Sequence, residues 1–416
     1  MERSDTGSLE MMTGRRMSIP SIESDLFVFD NQFPRGDFGF RNREFNYYLN
    51  YFARSKAFCM PATMKTLRYP ETTRESYYSL GKTPEEYESD RRSYEARHPE
   101  LAPRIGMLRP GDCRYGCRVA YSLFLNVTYT LIDFYEKHRL PFVFALLPGG
   151  GFGIDNEVSD HQLRRVAGSG MFRKVIATQN ITYGYLLDRR FCAPDQVVFS
   201  NGAVTSNTSK AEVDLTRKRY FKKDKDSFDV CFVANKYTPT GEDKGFDIVM
   251  QVATRLVRET NDVNFHLVGE WSQELAQYPG LRSRVAVYGK MEVEALKRLY
   301  YSMDIFLSPN RASRLYPGNF DGFPLGITAM CHGVVLFVSD PLSQNHFFED
   351  GKDLLIIDES DVDGIVERIM YYRNDFDGLY SISERAQRKA IDNFCIEIQA
   401  AKRITVFEHL MTRVTA

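Results

Sequence analysis

Hydrophobic and polar positions along the 416-residue chain alternate between two patterns. Short, continuous apolar runs of four to seven residues are separated by longer stretches with apolar residues every three or four positions. That alternation predicts an α/β protein with parallel sheets, because a strand covered by helices on both faces is apolar throughout. Leu26 to Phe29 and Ala57 to Met60 read as strands. Between them, Asn42 to Ala53 carries Phe45, Tyr48, Leu49 and Phe52 on one helical face. Val119 to Lys137 has the strongest helical pattern of this half. Pro141 to Leu147 predicts a buried strand, and Lys174 to Thr178 and Gln196 to Phe199 continue the alternation with a helix from about Asn180.

From 61 to about 104 the pattern lapses into polar, tyrosine-rich sequence, which reads as an insertion. One helix stands out in it: Thr83, Pro84 and Glu86 form the signature of a capping box, and the helix runs to about Arg97. A second strand–helix series opens at Val230 to Ala234, followed by a helix ending near Thr260. Strands at Asn264 to Val268, Val285 to Tyr288, Asp304 to Ser308, Val334 to Val338 and Leu354 to Ile357 follow, with a helix at Glu292 to Tyr301. Two helices close the chain, about Val362 to Tyr372 and Ser383 to Met411. The expected division is a lead-in at 1–24, an N-terminal domain at 25–205, a charged linker at 206–228, a C-terminal domain at 229–380 and a terminal helix at 381–416.

Length supports two domains, since a single core seldom serves this many residues. The formal net charge of −1 gives no nucleic-acid footprint. No apolar run approaches the ~20 residues of a membrane span, and the first 20 residues lack the apolar stretch of a signal peptide. Seven scattered cysteines fit reduced thiols in a cytoplasmic protein, and Cys113 and Cys117 are too isolated to suggest zinc. Mixed charge in the linker, such as Lys222 to Asp226, reads as a solvated face.

Candidate chemistry lies in the loops after strands, where open parallel sheets bind ligands. After the first strand stand Arg35, Asp37 and Arg41. After the strand ending at Leu147 stands Pro148-Gly149-Gly150-Gly151-Phe152-Gly153-Ile154-Asp155, rich enough in glycine to let a ligand approach the backbone. It lacks the Gly-Lys-Ser/Thr of a P-loop. His161 follows on a helix, as a sugar-binding group or simply a surface histidine. In the second half, Asp321-Gly322-Phe323-Pro324-Leu325-Gly326 feeds a short apolar helix closed by Gly333. A loop entering a helix N-terminus leaves backbone N–H groups for an anion.

This last stretch resembles the donor-binding signature of family-4 glycosyltransferases of the two-domain, Rossmann-like (GT-B) type. Asp321 to Leu325 matches its front, Ala329-Met330-Cys331-His332-Gly333 its back, and Ser339-Asp340 its end. The family usually has two glutamates here; this chain has Asp321 for the first and Thr328 for the second, a single hydrogen-bonding group in place of a bidentate carboxylate. Lys236 and Lys244-Gly245 match the family's two diphosphate-holding cations, although loop lysines are also commonly just solvated. Glu270 and the turn Gly289-Lys290-Met291 match its base-binding region in order.

The resemblance implies two Rossmann-like domains facing across a cleft, with the terminal helix crossing back to the first. It implies a retaining glycosyltransferase acting on a nucleotide-diphosphate sugar and a hydroxyl of a glycan or glycoconjugate, without metal or cofactor. In that reading Asp321 meets the donor sugar. Lys236, Lys244, Gly245, Glu270, Gly289, Lys290, Met291, Thr328 and the backbone from Gly322 through Phe323, Pro324 and Leu325 to Gly326 hold the donor. Arg35, Asp37, Gly149, Gly150, Gly151, Asp155 and His161 lie on the acceptor side. No nucleic-acid partner or membrane span is expected, and the family's biology suggests a cytoplasmic protein, compatible with peripheral association at the inner membrane face. Two rivals remain: a partner subunit that binds nucleotide sugar without catalysis, and a nucleotide-sugar epimerase on the same scaffold.

Overall fold

The computed structural model describes residues 20–35, 39–67, 77–147, 149–200, 208–236, 238, 240–311 and 322–413. The N-terminal strands are β1 (Ser21–Asp30), β2 (Ser55–Cys59), an antiparallel pair β3 (Lys65–Leu67) and β4 (Tyr77–Ser79), β5 (Ile105–Met107), β6 (Arg114–Leu123), β7 (Phe142–Leu146), β8 (Phe172–Ala177) and β9 (Val197–Phe199). Their helices are α1 (Gly39–Tyr51), α2 (Pro84–Glu95), α3 (Leu125–Thr130), α4 (Ile132–His138), α5 (Glu157–Ala167) and α6 (Asn180–Asp188). The C-terminal half comprises β10 (Phe228–Val233), β11 (Val263–Val268), β12 (Val285–Val287), β13 (Ile305–Ser308), β14 (Val335–Val338) and β15 (Leu355–Ile356). It carries α7 (Phe246–Glu259), α8 (Ser272–Leu275), α9 (Val293–Tyr300), α10 (Gly322–Cys331), α11 (Val362–Asn374), α12 (Phe376–Phe394) and α13 (Ile396–Arg413).

Two parallel sheets result, in the orders β5-β2-β1-β6-β7-β8-β9 and β12-β11-β10-β13-β14-β15. In each, the strand order turns back beside the first strand: β1 pairs with both β2 and β6, and β10 with both β11 and β13. The loops leaving neighbouring strands diverge there, which opens a crevice at the carboxyl edge. Arg35 follows β1 at the first of these switches, and Lys236 and Glu270 follow β10 and β11 at the second. Each sheet has an apolar layer on both faces, and Phe27 and Phe29 point to one cluster while Leu26 and Val28 point to another.

Three expectations are corrected. Val119 to Lys137 is not one helix. Val119 to Leu123 is the end of β6, buried on both sides between β1 and β7, and the chain turns helical only at Leu125. A strand buried on both faces is apolar throughout, so no period separates it from the helix behind it. The single helix expected from Ser383 to Met411 is two. Its first part begins at Phe376, and the break falls at Cys395, which is extended (φ −60°, ψ 154°). The Ile396 N–H there leaves the helix ladder and donates to the Thr208 carbonyl at 3.0 Å. Similarly, β1 starts at Ser21, inside the expected lead-in. The capping box of α2 is present: Glu86 N–H donates to Thr83 Oγ1 at 3.2 Å and Thr83 N–H to the Glu86 carboxylate at 2.8 Å.

Past the break, α13 lies against the N-terminal domain. Ala400, Ile404, Phe407, Leu410 and Met411 share a core with Leu26, Phe45, Tyr48 and Tyr121. Beneath them Glu44 accepts from Tyr48 (2.8 Å) and Tyr121 (2.7 Å), and Arg403 stands 3.5 Å from it, all fully buried. Among the described residues no helix is long and apolar enough to cross a membrane.

Candidate active site

The carboxyl end of β10 runs into Ala234, Asn235 and Lys236. The Lys236 ammonium pairs with Glu274 of α8 at 2.7 Å and lies 5.5 Å from the Trp271 ring centroid. Trp271 is fully buried and stacked on Phe246 (4.7 Å, 4° between planes). The loop then makes a tight turn to Lys244, which is itself buried (6% exposed). Gly245 has φ +72°, and a Cβ there would stand 2.0 Å from the Pro309 carbonyl oxygen. Only glycine permits this contact, which wedges the turn against the end of β13. Arg311, the last described residue after β13, closes the wedge. Its guanidinium grips Asp247 through both nitrogens (2.9 and 2.8 Å), and its N–H donates to the Asp243 carbonyl at 3.1 Å.

At the ends of β11 and β12 two glycines meet. The Gly269 N–H donates to the Gly289 carbonyl at 2.8 Å. The space above Gly289 is open: a Cβ there would meet nothing within 4 Å. Glu270 and Lys290 flank the pair, exposed and 3.6 Å apart. Met291 packs partly into the core beneath. Next to this turn, Tyr288 Oη, His266 and Asp229 form a chain with 2.9 Å at each step.

The signature splits at the boundary of the described residues. Asp321 lies outside them. Gly322 through Leu325 form the first turn of α10, which as the crossover between parallel β13 and β14 starts at the carboxyl edge. Its leading N–H groups have no carbonyl within the helix to bond, as at any helix start. Gly326 lets α10 sit on β14: a Cβ there would stand 2.7 Å from Leu336 Cδ1. Thr328 is buried at 8% exposure, and its carbonyl accepts from His332 Nδ1 at 2.7 Å. Burial pushes the His332 imidazole down to about 4, against the pull of that hydrogen bond.

Across the cleft, Asp37 lies outside the described residues and Arg35 is exposed. Arg41 is drawn inward instead. It donates to Asp30 (2.5 Å) and Asn31 (2.9 Å), and its guanidinium lies 4.7 Å from the Phe124 ring centroid. Gly149, Gly150 and Gly151 all have positive φ (+78°, +55°, +86°). Gly150 packs on Phe124 and Gly151 on Asn126, where a Cβ would come within 2.3 and 2.8 Å. The glycines therefore fit the start of α3. Asp155 pairs with Arg189, and exposed His161 rests against Tyr129, ring centroids 6.4 Å apart.

Gly245 thus holds the turn with Lys244 against Pro309, where β10 and β13 pair, and Lys236 follows β10 on that edge; Glu270 follows β11, and Gly289 and Lys290 follow β12, along the same edge of the sheet. Sequence reasoning missed Glu274, Trp271 and Arg311. No motif marks them; their roles arise from pairing with loop residues distant in sequence. Among the described residues no three His, Cys, Asp or Glu side chains converge as metal ligands would.

Residues 227–375 match the family described as Glycosyl transferases group 1. No curated protein matches the chain in sequence. HepE of Anabaena, solved in complex with UDP, is similar with a TM-score of 0.64 and 13% identity, over 93% of this chain and 100% of that one. Sucrose-phosphate synthase from Thermosynechococcus elongatus gives 0.62 and 11%, over 94% and 100%. TarM gives 0.52 and 16%, over 70% of this chain and 54% of TarM, so the chain spans about half that protein's length. At these identities the likeness is one of fold. The chain has the GT-B architecture, and the match to the group 1 family is confined to residues 227–375.

Proposed function

We propose that the protein is a retaining glycosyltransferase that moves a sugar from a nucleoside-diphosphate donor to a hydroxyl of a glycan or glycoconjugate. The observation that carries this is the turn ending in Lys244 and Gly245, wedged by Gly245 against Pro309 at the end of β13, within the stretch that matches the group 1 family. As the glycosidic bond breaks, the leaving diphosphate gains negative charge. Lys236, Lys244 and the α10 N–H groups are fixed cations and dipoles at that point, and they stabilise the change more than the ground state. Lysine serves as a point charge here. Asp321 takes the donor-sugar hydroxyls, Gly289 to Met291 the base, and Thr328 one ribose contact. The acceptor sits against the loop of Arg35 and Asp37, with the glycine turn and Asp155 shaping that side. No protein nucleophile or metal is required: the departing phosphate oxygen accepts the acceptor proton. Cytoplasmic placement, with peripheral contact at the inner membrane face, accompanies this reading.

HepE was solved with UDP and with UDP-glucose, so uridine donors are the first to test. Proton NMR of the protein with a nucleotide sugar and glycan acceptors should show a product with the anomeric configuration of the donor. Inversion would contradict the retaining step. Thr328, which supplies no carboxylate, favours one second reading, a partner subunit that binds donor without turning it over. Binding without transfer or slow donor hydrolysis is its mark, and epimerisation of free donor would mark the epimerase.

A further inference from the structure

The edge of the second sheet presents the turn after β12, then the end of β11, then the end of β10, in that spatial order. Adjacent strands lie about 4.8 Å apart. A nucleoside diphosphate laid along that edge, with its base at Gly289 to Met291 and its phosphates at Lys236 and Lys244, places its ribose over the end of β11. The carboxylates there are Glu270 and Glu274. Glu270 is exposed and faces Lys290. Glu274 is largely buried. Its Oε1 holds the Lys236 ammonium at 2.7 Å, and its Oε2 is buried with no hydrogen-bond partner among the described residues. Buried carboxylate oxygens are rarely left unpaired, because the lost hydration is not replaced. The short helix α8 that carries it is fixed by Trp271, on which Gly241 and Gly269 close (Cβ approaches of 2.4 Å each).

We propose that Glu274 accepts a hydrogen bond from a ribose hydroxyl of the donor, supplying the carboxylate that Thr328 does not. One oxygen orients the diphosphate-binding lysine, and the other reads the sugar of the nucleotide. The inference rests on the donor-binding reading above.

The test is calorimetric binding of uridine, guanosine and adenosine diphosphates and of their 2′,3′-dideoxy counterparts to the wild-type chain, Glu274→Ala, Glu274→Gln and Thr328→Ala. Charge-assisted hydrogen bonds of this kind are worth roughly tenfold or more in affinity. The wild-type chain should prefer its ribonucleotide over the dideoxy form by about tenfold or more, Glu274→Ala should remove most of that ratio, and Thr328→Ala, which gives up one uncharged contact, should lower it by only a few-fold. Freeing Lys236 in Glu274→Ala alters both ligands alike, so the ratio isolates the ribose contact. Glu274→Gln keeps the shape and covers the case in which the alanine variant does not fold; its ratio should fall to a few-fold. A ratio unchanged in either Glu274 variant, or lost in Thr328→Ala alone, overturns the proposal. Failure of the folded wild-type chain to bind any of the diphosphates overturns the donor reading with it.

Discussion

Lys244 and Gly245 show how much a short motif can be worth when packing supports it. The pair was legible in sequence because a lysine before a glycine after a strand is a recognisable arrangement. Its buried, wedged setting was not, since that depends on Pro309, some sixty residues on. Replacing Lys244 with alanine should weaken diphosphate binding about tenfold or more, checked by calorimetry. Gly245→Ala should instead destabilise the fold by at least about 1–2 kcal/mol, since it combines a left-handed backbone with a clash against a carbonyl. His332 gives a pH signature. Its folded-state pKa lies below the unfolded value, so between about 6.5 and 4 the unfolded chain binds the extra proton and stability falls as pH falls. Urea unfolding at pH 7 and pH 5 should show about 2 kcal/mol of this loss, and His332→Gln should remove that part of the slope. Glu274 was illegible in the sequence: an acid in a four-residue helix has no pattern, and its meaning comes from a lysine thirty-eight positions earlier.

Among elements, buried strands set off by turns were legible, as at Pro141 to Leu147 and Val334 to Val338, and a buried strand running straight into a helix was not. α2 declared itself through its cap and α1 through Phe45, Tyr48 and Leu49 on one face. β6 merged with α3 and α4 because Val119 to Leu123 is apolar by necessity at the centre of a sheet. The break between α12 and α13 was hidden because Cys395 is an unremarkable residue, bent by the hydrogen bond its neighbour makes to Thr208. The crossing of α13 is held by Phe407 against Tyr48 (5.3 Å, 82°) and by Arg403 over Glu44. Removing one charge of a buried pair strands the other. Arg403→Ala should therefore cost about 3–5 kcal/mol, and the double change Glu44→Gln with Arg403→Met should cost less than Arg403→Ala alone. Equilibrium urea denaturation of the variants decides this.

At the scale of the whole molecule the two domains meet through charge. Arg43 of α1 bridges Glu212 of the linker (2.8 Å) and Glu294 at the start of α9 (2.9 Å). Lys297 bridges the same two carboxylates at 2.7 and 2.9 Å. Burial opposes ionisation of Glu212, but the two cations hold its carboxyl down to about 2. On the other side of the cleft Gln344 accepts from the Ile181 N–H at the start of α6 (3.2 Å). Partly exposed ion pairs are worth about 1 kcal/mol or less. Arg43→Ala should therefore raise hydrogen exchange in linker residues 208–218 by no more than about fivefold, and added salt should produce the same change in the wild-type chain. Two joined domains were foreseeable from length and repetition of the strand–helix series. This junction was not, because its four charges are scattered over some 250 residues.

The central claim is that the β10/β13 crevice binds a nucleoside diphosphate and its sugar. The most direct measurement is thermal unfolding of the wild-type and Lys244→Ala chains across a concentration series of uridine, guanosine and adenosine diphosphates and their sugars. A ligand bound only by the folded state raises its stability with the logarithm of concentration over Kd. The account predicts a rise with one base, larger with one of its sugars, and displaced to about tenfold higher concentration or more in Lys244→Ala. An unmoved melting temperature with every nucleotide, or an equal rise in the variant, would contradict it.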